Sequence, residues 1–218
     1  MKKDIVPKYY SPAEENTNII SHAVGFALSI LATVLLVVHA AKFGTAKHIV
    51  SFAVFGVSLM VLYAASTLYH SAKKTERRNR LKIFDHTAIY ILIAGTYTPF
   101  TLVTLAGTTG WVIFGIAWGA ALVGVVLKLF FTGRFSIAST VMYVLMGWVV
   151  VFAIKPLINA LPAEGLFWLF AGGVAYTVGA ILYSIKKIPF NHAIFHILVL
   201  VGSFCHFISI FYYVLPSR

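Results

Sequence analysis

Charged residues are scarce in this 218-residue chain: they make up 11% of it, and only six are Asp or Glu. A soluble domain normally carries about 25% charged residues, so the composition excludes an ordinary soluble domain. Cysteine occurs once, at Cys205, which excludes an intramolecular disulfide and a metal site built from several thiolates. Apolar residues make up 60% of the chain. This composition predicts a multi-pass protein of the cell membrane, surrounded by membrane lipids.

Long apolar stretches define the predicted fold, since a helix needs roughly 20 apolar residues to cross a bilayer. Seven stretches qualify: 19–41, 48–70, 83–104, 111–131, 137–157, 165–185 and 190–215. The loops between them are short. The sequence therefore predicts an all-α fold, a single seven-helix transmembrane domain over residues 1–218, in which residues 1–17 form a short cytoplasmic segment. Small residues within 172–179 predict close packing of the sixth span against another helix.

The distribution of Lys and Arg predicts the orientation. Of the 17 basic residues, 13 lie in the N-terminal segment or in the loops after the second, fourth and sixth spans. The positive-inside rule then places the N-terminus in the cytoplasm and the C-terminus outside. Because the net charge of +11 is confined to short loops, orientation explains it and no nucleic-acid partner is expected. The basic run from Lys73 to Lys82 is interpreted as a solvated loop that meets lipid headgroups.

Ionisable and polar residues collect at one predicted depth, on the cytoplasmic side. His70 ends the second span, Asp85 begins the third, and His192 and His196 lie in the first turns of the seventh. A stripe at the start of the first span adds three more residues: Glu15, Asn18 and His22. Polar groups within membrane spans are costly, usually face the bundle interior and mark function.

This convergence indicates a metal site. His192 and His196 are four residues apart, which puts both rings on one helix face, and three histidines with one open position are a standard catalytic zinc arrangement. Asp85 would hold water and act as general base and acid. Ser66, one turn before His70, would hydrogen-bond a substrate carbonyl or a developing oxyanion.

Each of these residues also has a simpler interpretation. Asp85 can be the N-cap of the third helix, and His70 can be an interfacial histidine favoured by the helix C-terminal dipole. The His192–His196 pair is a weak metal signal when taken alone. The joint placement of the four residues is what favours a shared metal.

The ordered motifs resemble the haemolysin III branch of the progestin and adipoQ receptor family, within a wider group that contains alkaline ceramidases. The resemblance spans about residues 15–213. Its motifs correspond here to the stripe of Glu15, Asn18, Ser21 and His22, to Ser66 with His70 and Asp85, and to the His192–His196 pair. The resemblance implies a seven-helix bundle with zinc held by His70, His192 and His196, and a metal-bound water held by Asp85.

Two classes of function remain open. One is a zinc-dependent hydrolase that cleaves a lipid amide or ester at the inner leaflet, as the resemblance to ceramidases implies. The other is a membrane cytolysin or a receptor-like protein, in which zinc is structural. Transport is less favoured, because the centres of the spans carry almost no charge. The sequence predicts neither the substrate nor the oligomeric state.

Overall fold

The computed structural model of the protein describes residues 9–131 and 136–215, and these ranges contain helices and no strand. Five basic residues that enter the orientation count lie outside the described residues: Lys2, Lys3, Lys8, Arg134 and Arg218. The main helices are α1 (Pro12–Phe43), α2 (Ala46–Ser71), α3 (Thr75–Pro99), α4 (Gly107–Phe131), α5 (Ser136–Gly147), α6 (Ile154–Ala160), α7 (Ala163–Ser184) and α8 (Asn191–Ser209). Seven helical segments of the described chain are long and apolar enough to cross a membrane, which confirms the predicted seven-span, all-α fold.

Three of the seven spans are composite. A π-helical turn, Phe100–Thr104, continues α3, and another, Ile210–Val214, continues α8. The fifth span consists of α5, a 3-10 segment over Val149–Ala153 and α6. At the break in this span, the hydroxyl of Tyr97 donates to the carbonyl of Gly147 at 2.8 Å and accepts from the backbone N–H of Val150 at 2.9 Å. A side chain from α3 thus supplies the backbone partners that are lost where the α-helix ends.

Two helices begin earlier than hydropathy predicts. The first begins at Pro12, so residues 12–17 of the predicted N-terminal segment are helical. Ser11 caps it by accepting a hydrogen bond from the backbone N–H of Glu14 at 3.2 Å. The third begins at Thr75, eight residues before the predicted start. Asp85 therefore lies about three turns inside α3, and the prediction that it begins this helix, with its alternative as an N-cap, is wrong.

The core lies between α1, α2, α3 and α8, around buried residues such as Phe52, Phe55 and Leu92. α8 packs against both α7 and α1. The opposite faces of the outer helices expose large apolar side chains, including Leu122, Phe130 and Phe152. An apolar surface of this extent fits a lipid environment.

α7 approaches α8 closely through two glycines. A Cβ added at Gly172 would overlap the ring of His206, and one at Gly179 would lie 3.1 Å from Cβ of Leu198. This confirms the close packing predicted for residues 172–179 and places its partner within the same chain. His206 is held beside Gly172 by a contact of 3.1 Å between its Nε2 and the carbonyl oxygen of Leu169.

Candidate metal centre

Three buried histidines meet at one end of the bundle, hereafter the histidine end. His70 lies in the last turn of α2, while His192 and His196 lie in the first two turns of α8. Their ligand atoms all lie within 4.8 Å of one another. Nε2 of His192 is 3.0 Å from Nε2 of His70 and 3.0 Å from Nε2 of His196. The structure therefore brings together the three residues that the sequence predicts to share a metal.

The hydrogen bonds on the far side of two rings fix which nitrogen carries the proton. Nδ1 of His70 lies 2.7 Å from Oε2 of Glu15, and Nδ1 of His196 lies 3.3 Å from the backbone oxygen of Asn18. A carboxylate and a carbonyl only accept, so both Nδ1 atoms donate. In the neutral form of each ring, Nε2 then carries the lone pair, on the side that faces His192.

This donor set fits a cation. A single N–H on His192 satisfies only one of the two facing lone pairs, whereas a shared metal ion satisfies all three nitrogens. Two nitrogens that each lie 2.0–2.1 Å from a tetrahedral zinc are separated by about 3.3 Å, close to the 3.0 Å between the Nε2 atoms. A carboxylate and a carbonyl on the second nitrogens are the usual supports of metal-ligating histidines.

Arg78 joins the first three helices at this centre. It is 1% exposed, and Nη2 donates to Oε1 of Glu15. Nη1 donates to the backbone carbonyls of His70 at 3.2 Å and Ala72 at 3.3 Å. The guanidinium thus completes the C-terminus of α2, where carbonyls lack helical partners. The prediction of a solvated loop over 73–82 is therefore wrong in two respects: the chain is helical from Thr75 onwards, and Arg78 is buried.

The first turns of α1 supply the rest of the surroundings. His22 stacks on His196 with ring centroids 3.6 Å apart and planes 5° apart. Among the described residues, neither nitrogen of His22 has a hydrogen-bond partner. Oε1 of Glu14 accepts from the backbone N–H of His192 at 3.3 Å. Each residue of the predicted stripe therefore contacts a histidine of the cluster. Glu15 contacts His70, and both Asn18 and His22 contact His196.

Tyr10 covers the centre from the start of α1. Its ring stacks on His192 at a centroid distance of 4.8 Å, and its backbone N–H donates to Oε1 of Glu15 at 3.2 Å. Burial, with a smaller contribution from the neighbouring Tyr183, raises the pKa of the Tyr10 phenol far above its usual range. The phenol therefore stays neutral at physiological pH.

Asp85 and Ser66 lie on the wall of a cavity that begins at the histidines. The cavity measures about 150 Å³, is partly open, and has His192 and His196 on its wall. Both Asp85 and Ser66 are buried, and Oδ2 of Asp85 is 4.0 Å from Nε2 of His86. Asp85 is not one of the three residues whose ligand atoms converge within 4.8 Å, and it shares the cavity wall with His192 and His196.

The cavity extends from the histidine end towards the middle of the bundle, and its lining is mostly apolar. Leu62, Leu92 and Val199 line it, and it reaches Trp148 and His206. A mostly apolar cavity with a small number of polar groups on its wall is the usual form of a small-molecule site. This one has room for part of an apolar chain beside the polar groups.

Three residues that contact the histidines or their partners were not predicted from the sequence: Arg78, Glu14 and Tyr10. Arg78 lies in a run of basic residues, and the sequence of such a run does not show which of its arginines is buried. Glu14 carried a usable signal. Ser11, Pro12 and the acidic residues that follow form a typical helix N-terminus, which would have placed Glu14 in the first turn of α1.

A protein-family model described as haemolysin-III related matches residues 10–207. The chain belongs to this family. It is 49% identical over 204 residues to Hemolysin-3 of Bacillus cereus, covering 94% of this chain and 93% of that protein. It is 50% identical over 200 residues to the Hemolysin-3 homolog of Bacillus subtilis, covering 92% of this chain and 94% of that protein.

A more distant similarity reaches animal proteins. The human monocyte to macrophage differentiation factor is 29% identical over 174 residues, which cover 75% of this chain and 70% of that protein. Together with the family match, this similarity confirms the haemolysin III branch of the progestin and adipoQ receptor family. The seven apolar helices and the family membership identify a multi-pass membrane protein.

Proposed function

We propose that this protein is a zinc-dependent hydrolase of a lipid amide or ester, acting at the inner leaflet. The observation that carries the proposal is the position of the histidine cluster. His70, His192 and His196 would hold the metal at the end of an apolar cavity that also presents Asp85 and Ser66. When bound, zinc would supply a water acidified to a pKa of about 7. The histidine end would face the cytoplasm, as the distribution of basic residues predicts.

Asp85, Ser66 and the apolar residues of the cavity would have different roles in the reaction. The Asp85 carboxylate would accept a proton as water adds to the acyl carbon, and would return it to the leaving nitrogen or oxygen as the C–N or C–O bond breaks. The Ser66 hydroxyl would donate to the carbonyl oxygen as negative charge develops there. Apolar residues of the cavity would hold the acyl chain, so that the carbonyl reaches the polar end.

Metal analysis tests the first half of this proposal. We expect about one zinc per chain in detergent-purified wild type, since three histidine nitrogens are a usual ligand set for zinc. We expect His70→Ala and His192→Ala to lose it. His48→Ala, at the opposite end of α2, is the matched control and keeps its zinc. Metal-free wild type, purified without chelators, would contradict the proposal.

Turnover tests the second half. Asp85→Asn is expected to keep zinc, and its rate of hydrolysis is expected to fall at least about 100-fold, the range for loss of a general acid–base group. Fatty-acid release from a lipid amide and a lipid ester of matched chain length measures it. Full turnover in Asp85→Asn, or zinc-loaded wild type that cleaves neither substrate, would count against a hydrolase.

The names of the Bacillus relatives favour a second candidate, a membrane cytolysin in which zinc is structural. A metal bound by residues of both α2 and α8 would hold these helices together at the histidine end without taking part in a reaction. Release of dye from liposomes by purified protein distinguishes the two. Lysis that persists in Asp85→Asn, with no fatty acid released by the wild type, would favour the cytolysin.

A further inference from the structure

A buried lysine also lies on the cavity wall, outside the histidine cluster. Lys128, in the last turn of α4, is 4% exposed and lines the same cavity as Asp85 and His192. Its Nζ donates to Oγ of Ser139 on α5 at 2.6 Å, and Ser139 lines the cavity as well. The ammonium is therefore held at the boundary of the cavity, between two helices.

Placement at a helix C-terminus does not by itself explain Lys128. The helix dipole favours a cation there, but it does so equally for a side chain that points outwards to lipid headgroups. Lysines near the end of a span usually extend towards water in this way, as exposed Lys187 does beyond α7. A charged side chain turned into the bundle is costly and marks a binding or reaction site.

Further positive charge lies nearby. The positive charge of Lys82 on α3 acts on Lys128. Like charges repel strongly where the surroundings are apolar, and an anion bound beside Lys128 relieves this repulsion.

We infer that Lys128 forms an anion subsite, which binds the phosphate or carboxylate group of a lipid whose acyl carbonyl lies at the histidines. The inference rests on the proposed function for the position of the acyl group, but the subsite binds its anion whether or not the lipid is cleaved. The hydroxyl of Ser139 holds the ammonium in place, and Thr140 and Tyr143 of the same helix line the cavity as well. A compact ammonium of this kind suits an oxyanion.

Native mass spectrometry of the full-length protein in detergent tests the subsite, because it reports each bound lipid by its mass. The probes are didecanoyl phosphatidic acid, didecanoyl phosphatidylcholine, decanoate and inorganic phosphate. Wild type should bind phosphatidic acid about tenfold or more tighter than phosphatidylcholine, the range for a charge-assisted hydrogen bond. Lys128→Gln should lose this preference, while Lys128→Arg and the exposed control Lys187→Gln should keep it.

The other probes identify the source of the anion. Inorganic phosphate that competes at the same concentration as phosphatidic acid would overturn the lipid assignment and leave a site for a soluble anion. Decanoate that competes better than phosphatidic acid would support a carboxylate ligand. Equal affinity of wild type for phosphatidic acid and phosphatidylcholine would overturn the subsite, even if Lys128→Gln failed to fold.

His70→Ala separates this subsite from the metal centre. If its preference for phosphatidic acid persists, the anion binds at Lys128 and not at the metal. If the preference disappears in His70→Ala and survives in Lys128→Gln, the subsite is wrong. Absence of hydrolysis with an intact, Lys128-dependent preference would contradict the proposed hydrolase alone. Equal rates of hydrolysis for lipids with charged and uncharged headgroups would contradict the subsite alone.

Discussion

Glu15 Oε2 accepts a hydrogen bond from Nδ1 of His70 at 2.7 Å, although the two residues lie on different helices. The bond makes Nε2 of His70 the nitrogen with the free lone pair. Glu15→Gln keeps the size of the side chain and removes its charge, so we expect a loss of zinc affinity of about 10- to 100-fold, as for other partners of ligating histidines. Competition with a chromophoric chelator measures this loss.

Glu76→Gln provides the control for that experiment. Glu76 lies near the same end of the bundle, in the first turn of α3, and is exposed. Its substitution changes the net charge by the same amount without touching a histidine. Equal zinc affinity in Glu15→Gln and Glu76→Gln would mean that the Glu15–His70 bond does not support the metal centre.

Arg78 is expected to contribute more to stability than any exposed member of its basic run. Arg78→Met leaves the Glu15 carboxylate without its cation and the last carbonyls of α2 without a donor. We expect a loss of about 3–5 kcal/mol, the range for breaking a buried ion pair from one side. Unfolding in detergent measures it, with exposed Arg77→Met as the control.

A double-mutant cycle identifies the cause of that loss. In Arg78→Met with Glu15→Gln, the carboxylate charge that paired with Arg78 is gone. The double variant should therefore lose less stability than the sum of the two single losses, by about 0.5–3 kcal/mol. Strictly additive losses would show that the arginine acts through the carbonyls of α2 and not through Glu15.

Hydropathy predicted the number of spans because bilayer thickness imposes a minimum apolar length on each. It could not predict where helices begin outside the bilayer. The first turns of α3 are charged, from Thr75 to Lys82, and no apolar signal marks them as helical. That extension moves Asp85 from a predicted helix start to a position about three turns inside α3.

The sequence predicted the convergence of His70, His192 and His196, because topology alone puts the end of the second span and the start of the seventh on one side. The spacing of Glu15, Asn18 and His22 put this stripe at the same end, but it could not predict which histidine each residue contacts. The contact of Asn18 with His196 depends on helix rotation. The contact of Arg78 with the carbonyls of α2 depends on the path of the chain between α2 and α3, and no spacing indicates it.

His22 gives a prediction about buried nitrogens. Its ring stacks on His196, but neither nitrogen is hydrogen-bonded among the described residues. His22→Phe keeps a flat ring and removes two unsatisfied polar atoms, so we expect stability equal to wild type or higher by about 1–2 kcal/mol. Zinc content should be unchanged, because the ring is not among the three converging histidines.

The same variant reports on the cavity, whose wall includes His22. If a lipid bound in the cavity uses a His22 nitrogen, hydrolysis falls about tenfold in His22→Phe while zinc and stability hold, and we expect this result. Loss of stability in His22→Phe would instead show that the nitrogens are already satisfied in the folded protein. His22→Ala, which also removes the stacked ring, should be less stable than both.

The contact of α7 with α8 gives the sharpest packing prediction, because two adjacent glycines differ in their surroundings. A Cβ at Gly172 would overlap the ring of His206, whereas one at Gly173 would meet only Trp148, at 3.7 Å. Gly172→Ala must displace His206 from the carbonyl of Leu169, and should cost about 1–3 kcal/mol, as overpacked cores do. Gly173→Ala should be neutral or stabilising by about 0.5–1 kcal/mol, since alanine favours a helix. Thermal unfolding of both variants in one detergent checks the difference, and equal melting temperatures would mean that the two helices separate without cost.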